Sequence, residues 1–172
     1  MSMFSDKPML KWLWLSVSLI VVDQITKQLA ENVLTLYQTV AVMPFFNIVL
    51  VYNTGAAFSF LADASGWQRW FFLSLSIVIS IVLLIWLGRL RSDQRLQAVA
   101  LALILSGAIG NLVDRAIYGH VIDFLDVYYG QWHWPAFNVA DSAITIGAIL
   151  LIIDSLFNSA SVSTKQIDQR TD

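Results

Sequence analysis

Asp123 and Asp141 are the residues of this chain best placed to do chemistry. Asp123 sits in Gly119-His120-Val121-Ile122-Asp123-Phe124 with apolar neighbours on both sides. Asp141 follows in Phe137-Asn138-Val139-Ala140-Asp141-Ser142, and a bend at Gly130 and Pro135 permits the two carboxyls to meet. Two carboxyls held close where water is scarce cannot both ionise cheaply, so they share one proton and titrate as a unit. The ionised member of such a pair takes a proton from water as the water attacks a carbonyl. Its protonated partner donates to the carbonyl oxygen and then to a leaving amine. Asn53, Asn111, Asn138 and Arg115 offer donors that could hold a substrate or a developing oxyanion. Asp141 also has a plainer explanation: Asn138 at a helix N-cap with an acid three residues on reads as a capping box, and the acid complements the helix dipole. Asp123 has no such alternative.

Other polar residues admit two readings each. Asp23 and Lys27 lie four apart on one helix face, which gives a self-neutralising ion pair that could also brace a site. In Gly110-Asn111-Leu112-Val113-Asp114-Arg115, Asn111 shares a face with Asp114 or Arg115. Those residues either join a polar cluster or simply end a helix, while Gly107 and Gly110 suit close helix packing. Asp154 is expected near the opposite end of the last helix, where it reaches the headgroups. Asp6, Glu31, Asp63, Asp93, Asp168 and Asp172 read as solvated surface.

The elements that must position these groups are membrane helices. Of the 172 residues 58% are hydrophobic and 13% charged, and the mean hydropathy is +0.68, whereas a soluble domain carries about 25% charge. Four stretches, 12–29, 70–87, 96–113 and 139–157, approach the length of about 20 apolar residues that spans a bilayer. They define one integral-membrane domain over 1–158 and a loose tail over 159–172. Seven of the ten Lys and Arg, namely Lys7, Lys11, Arg89, Arg91, Arg95, Lys165 and Arg170, fall on one side of these spans, which predicts that both termini are cytoplasmic. Trp12, Trp14, Trp67, Trp70, Trp86, Trp132 and Trp134 fall near span ends, where amphipathic rings settle. The longer connections, 30–69 and 114–138, then face outward. The first reads VAVMPFFNIVLVYNTGAAFSF over 40–60 and predicts a small sheet of short strands broken at Pro44 and at Asn53-Thr54-Gly55. The second is expected to bend back to the bilayer at Gly119, Gly130 and Pro135.

Composition also excludes. With so little charge there is no basic field for nucleic acid, and without cysteine there is no thiol, thiolate-metal or disulfide chemistry. His120 and His133 lack the spacing of a zinc site, and neither Ser106 nor Ser142 lies in a nucleophile elbow, so no metal or cofactor is expected. A proton relay would spread its acids through the membrane depth. Here Asp114, Asp123 and Asp141 gather at one face. A purely structural helix bundle leaves Asp123 and the Asn-rich cluster without a purpose.

Taken together these residues resemble the lipoprotein signal peptidases, the signal peptidase II family of bacterial membranes. The resemblance rests on five ordered blocks: Asp23 with Lys27; Tyr52-Asn53-Thr54-Gly55-Ala56-Ala57-Phe58; Gly110-Asn111-Leu112-Val113-Asp114-Arg115; Val121-Ile122-Asp123-Phe124; and Phe137-Asn138-Val139-Ala140-Asp141-Ser142. It implies a mainly α membrane protein of four transmembrane helices with an outward-facing β-cradle between helices 1 and 2. The implied activity is that of an aspartic endopeptidase with Asp123 and Asp141 as its dyad, cutting just before the lipid-modified cysteine of a diacylglyceryl-modified prolipoprotein. By the same resemblance Asn53, Gly55, Asn111, Arg115 and Asn138 line the pocket, and Asp23, Lys27 and Asp114 support it. The implied setting is the bacterial inner membrane among its lipids, with the site towards the outer face.

Overall fold

The computed structural model describes residues 9–55 and 66–168, with side chains described as far as Phe157. Lys7, the Ala56-Ala57-Phe58 part of the outer block and Arg170 lie outside the described residues. After a short 3-10 turn at Leu10–Trp12 come α1 (Leu13–Val33), β1 (Thr39–Met43), β2 (Phe46–Asn53), α2 (Trp67–Arg89), α3 (Arg95–Ile117), β3 (Val121–Tyr129), β4 (Trp132–His133) and α4 (Val139–Asp168). The segment expected as a loose tail therefore starts as a continuation of α4.

Among the described residues α2, α3 and the 139–157 part of α4 are long and apolar enough to cross a membrane. Helix α1 has the length, about 31 Å at 1.5 Å per residue, but carries Asp23, Gln24, Lys27 and Gln28. Those polar groups turn inward, since Asp23 and Lys27 are buried, while Trp14, Val17, Val21, Val22, Ile25 and Leu29 are exposed on the other side. A polar stripe inside and an apolar one outside reverses the pattern of a soluble helix and is what lipid requires. It lets α1 serve as the fourth span.

Helix α3 is the centre, packed against α1, α2 and α4, with 56% of its apolar window buried against 17% for each of α2 and α4. Small residues make this possible. A Cβ on Gly107 would run into the Ala140 carbonyl oxygen, and one on Gly110 would stand 2.6 Å from Asp23 Oδ2. The α1–α3–α4 junction closes only because those side chains are absent.

The sheet corrects one expectation. It is four-stranded and antiparallel in the order β1-β2-β3-β4, so half its strands come from the second connection and it does not lie wholly between helices 1 and 2. Val121–Tyr129 is as rich in β-branched and aromatic residues as 40–53, the property that makes both pair well across a pleated surface. Strand β2 pairs with β3 from Asn53↔Val121 to Phe46↔Val127, with a register shift between Ile48 and Val51. The β1–β2 turn falls at Pro44 and Phe45, the latter at φ 71°, and the β3–β4 turn at Gly130, φ 63°, as the breaker residues predict. The register sets Asp123 opposite Val51, two residues from Asn53.

Candidate active site

Three elements meet where α3 ends: the start of β3, the end of β2 and the N-terminus of α4. The capping box is real. Asn138 Oδ1 accepts the Asp141 N–H at 2.9 Å, and Asp141 Oδ2 accepts the Asn138 N–H at 3.3 Å. The Asn138 side-chain amide then donates to Asp123 Oδ1 at 2.7 Å. One fully buried asparagine thus holds both carboxyls. Each has a second amide donor, Asn53 Nδ2 to Asp123 Oδ2 at 3.0 Å and Asn111 Nδ2 to Asp141 Oδ1 at 2.8 Å.

Behind this lies a fully buried ion cluster. Lys27 Nζ sits 2.8 Å from Asp23 Oδ2 and 2.9 Å from Asp114 Oδ2, and donates to Asn111 Oδ1 at 3.0 Å. All three ammonium protons have acceptors, and fixing the Asn111 oxygen on Lys27 turns its NH2 towards Asp141. The two acids grip the backbone just ahead of the two candidate carboxyls. Asp23 Oδ1 accepts the Ala140 N–H at 2.8 Å, and Asp114 Oδ2 accepts the Ile122 N–H at 3.2 Å. Gln24 Nε2 donates to Asp114 Oδ1 at 2.8 Å. Arg115 approaches from the other side and donates to the Gly55 carbonyl at 2.9 Å. Gly55 in turn gives its N–H to Asn53 Oδ1 at 3.0 Å, a short Asx turn that aims the Asn53 amide.

Around the pair stand Lys27 and Arg115 as cations and Asp23, Asp114, Asp123 and Asp141 as acids. Four charged carboxyls against two cations would leave an uncompensated excess in a poorly solvated place. Burial first, and then the charge of Asp141, pushes Asp123 up to about 7, against the opposing pull of Asn53, Lys27 and Asn138. A proton is therefore retained near neutrality. Asp141 lines a cavity of about 770 Å³, together with the polar Asn53, Asn111 and Arg115 and the apolar Phe72, Val121, Trp134 and Ile144. Its largely apolar walls suit an apolar ligand.

A comparison with protein families matches residues 15–157 to a family described as signal peptidase (SPase) II. The chain belongs to the signal peptidase II family. Curated relatives named lipoprotein signal peptidase include one from Pseudomonas syringae pv. tomato DC3000, 57% identical over 84% of this chain and 85% of its own. Another, from Cupriavidus taiwanensis, is 58% identical over 84% and 82%. Two solved structures described as bacterial membrane enzymes superpose with TM-scores of 0.79 and 0.75 at 33% identity. They cover 88% and 85% of this chain and 90% and 92% of theirs. Membership of the signal peptidase II family makes the protein a membrane-embedded protease, and the matched region contains all ten site residues singled out from the sequence.

The structure brings Asn53, Gly55, Asn111, Asp114, Arg115, Asn138, Asp23 and Lys27 into one network with Asp123 and Asp141. Asp154 lies apart and accepts from Gln97 Nε2 at 2.7 Å. The serine–histidine alternative dissolves: Ser106 donates to the Leu103 carbonyl, Ser142 to the Asn138 carbonyl, His120 stacks on Tyr52, and His133 contacts Asp126. Sequence reasoning passed over Asp126 and Gln24. Asp126 carries the same signal as Asp123, an acid inside an apolar β-type run.

Proposed function

We propose that this protein removes signal peptides from diacylglyceryl-modified prolipoproteins by an aspartic mechanism, cutting on the N-terminal side of the lipidated cysteine. The observation that carries this reading is Asn138, whose side chain and backbone hold Asp123 and Asp141 together beside an apolar cavity. Asp123, raised to about 7, keeps the shared proton and acts as the acid. Asp141 acts as the base.

A water between the two carboxyls loses a proton to Asp141 as its oxygen attacks the carbonyl of the residue before the cysteine. Asp123 donates to the carbonyl oxygen. The tetrahedral intermediate then collapses: the C–N bond breaks, the cysteine nitrogen takes a proton from the dyad and leaves as an amine, and the signal peptide leaves as a carboxylic acid. Asn53 and Asn111, each bonded to one carboxylate, hold the two side chains so that little reorganisation accompanies proton transfer. Acyl chains anchor the substrate in lipid, which suits a site at the rim of the bilayer. The basic-residue bias supports cytoplasmic termini and an outer-face site in the bacterial inner membrane.

The test is incubation of the purified protein in lipid with a diacylglyceryl-modified prolipoprotein and with its unmodified form. Cleavage of the lipidated form alone is expected, with Asp123→Asn and Asp141→Asn each reducing the rate by a factor of at least about 10³ while still accumulating in the membrane. Turnover at the wild-type rate by either variant refutes the dyad.

A further inference from the structure

Asp126 is a second buried acid on β3, and the proposed chemistry does not use it. Only 6% exposed, it faces Asn47, its register partner on β2, whose Nδ2 donates to Asp126 Oδ2 at 2.8 Å. From the other side His133 on β4 places Nδ1 2.9 and 3.0 Å from the two carboxylate oxygens. The ring also stacks on Tyr128, its own register partner, at 5.3 Å between centroids. Three neighbouring strands are therefore tied side chain to side chain.

What this tie holds is a wall of the cavity. Strand β4 is two residues long, too short to secure itself by pairing alone. Directly after it Trp134, Pro135 and Ala136 line the cavity, and Pro135 has no N–H to anchor it. Past them Phe137 exchanges two backbone hydrogen bonds with Leu125, at 2.8 and 3.0 Å. At the near end the Trp134 N–H donates to the Val127 carbonyl at 2.8 Å, one residue beyond His133. The strap 134–136 is thus held on its far side by two backbone bonds and on its near side by the Trp134 N–H bond and the Trp132–Trp134 ring contact, next to the imidazole–carboxylate contact of His133 with Asp126. A tie with only a structural task would be as well built from apolar side chains, since burying a carboxylate is unfavourable.

We propose that Asn47, Asp126 and His133 form a positioning clasp that holds Trp134, Pro135 and Ala136 as the wall against which the apolar part of the substrate beside the scissile bond packs. The clasp sets how tightly substrate is held, and the dyad sets how fast it is cut. This rests on the peptidase reading above. Because the His133 side chain is half exposed, 52% against 9% for Asp126, its removal loosens the strap without leaving a large cavity.

The test compares wild type, His133→Ala and His133→Asn, all full-length and in lipid. An asparagine amide nitrogen lies where the imidazole Nδ1 does, so it can restore the bond to Asp126. Hydrogen exchange reads the amides of residues 132–134, and binding and cleavage are measured with a diacylglyceryl-modified prolipopeptide. In His133→Ala, exchange is expected to quicken about tenfold and Kd and KM to rise about tenfold, with kcat within about twofold. In His133→Asn both return to within about threefold of wild type. Faster exchange with unchanged Kd overturns the proposal, as does unchanged exchange, or a fall in kcat at constant KM. Should the dyad variants cleave normally the peptidase mechanism fails, and Kd with exchange still decides the clasp.

Discussion

Replacing Asp123 with asparagine should remove cleavage and yet stabilise the fold in alkaline solution. The Asp123 carboxyl binds its proton more tightly in the folded protein, at about 7, than at its ordinary value of 3.8, because burial and Asp141 oppose its charge. The folded state is therefore favoured below about pH 4, and that advantage is lost as pH rises through about 7. At about 1.4 kcal/mol for each factor of ten, the interval corresponds to about 4 kcal/mol in the alkaline limit. Asparagine carries no charge and escapes this loss. It brings its own penalty: Asp123 accepts from the amides of both Asn53 and Asn138, and an asparagine there sets its NH2 against one of those donors. Turning Asn53 over would break its bond from the Gly55 N–H, so about 1 to 3 kcal/mol is lost at every pH. The net change is a stabilisation of about 1 to 3 kcal/mol at about pH 8 and a destabilisation of similar size at about pH 4. Thermal unfolding in lipid at the two values reads the sign directly. A variant less stable than wild type by the same amount at both pH values would refute the claim that Asp123 is buried beside a second charge.

The acid role of Asp123 predicts that kcat/KM falls as pH rises through about 7, because the shared proton is then lost; a rate still rising there contradicts that role. Lys27→Met should lower stability by about 3 to 5 kcal/mol in thermal unfolding, since Asp23 and Asp114 would keep buried charges without a counter-ion. Asp154→Asn should change cleavage by less than about twofold, because Asp154 meets Gln97 rather than the network around Asp123; a large loss at normal accumulation would give that residue a role it lacks here.

The spans were legible because a bilayer demands length and apolarity, and both can be counted along the chain. Helix α1 was counted in the same way, and its inward polar face was legible because Asp23 and Lys27 stand four apart. The sheet was only half visible. Pro44 and the Asn53-Thr54-Gly55 turn marked β1 and β2, but β3 and β4 were hidden because the second connection was read for its breakers rather than for its alternation. That omission explains why Asp126 and His133 went unused, as their meeting needs β4 folded back over β3. Nor could spacing show that Asp23 and Asp114 reach past Lys27 to backbone amides of α4 and β3, since such contacts depend on tertiary packing, that of Asp23 on the bare surface of Gly110.

For Asp141 the two readings offered by the sequence, helix cap or chemical group, do not compete, since the cap holds the very carboxyl proposed as the base. A capping box fixes the side chain of the third helical residue by bonding it to the backbone of the cap, and here the cap is Asn138. Its side-chain amide is left to donate to Asp123 at 2.7 Å, with longer bonds of 3.3 Å to Asn111 Oδ1 and the Ile122 carbonyl. The cap therefore sets the direction of one carboxyl and the distance to the other. Asn138→Ser tests this, because serine can cap a helix nearly as well as asparagine but has no amide to reach Asp123. If capping were the whole task of Asn138, Asn138→Ser would keep wild-type stability and activity. If it also spaces the dyad, the variant should still fold and accumulate, with stability lower by about 1 to 3 kcal/mol for the buried amide bonds it loses, while kcat falls about 10²-fold, the scale on which misplacement of a reacting group by about 1 Å is felt.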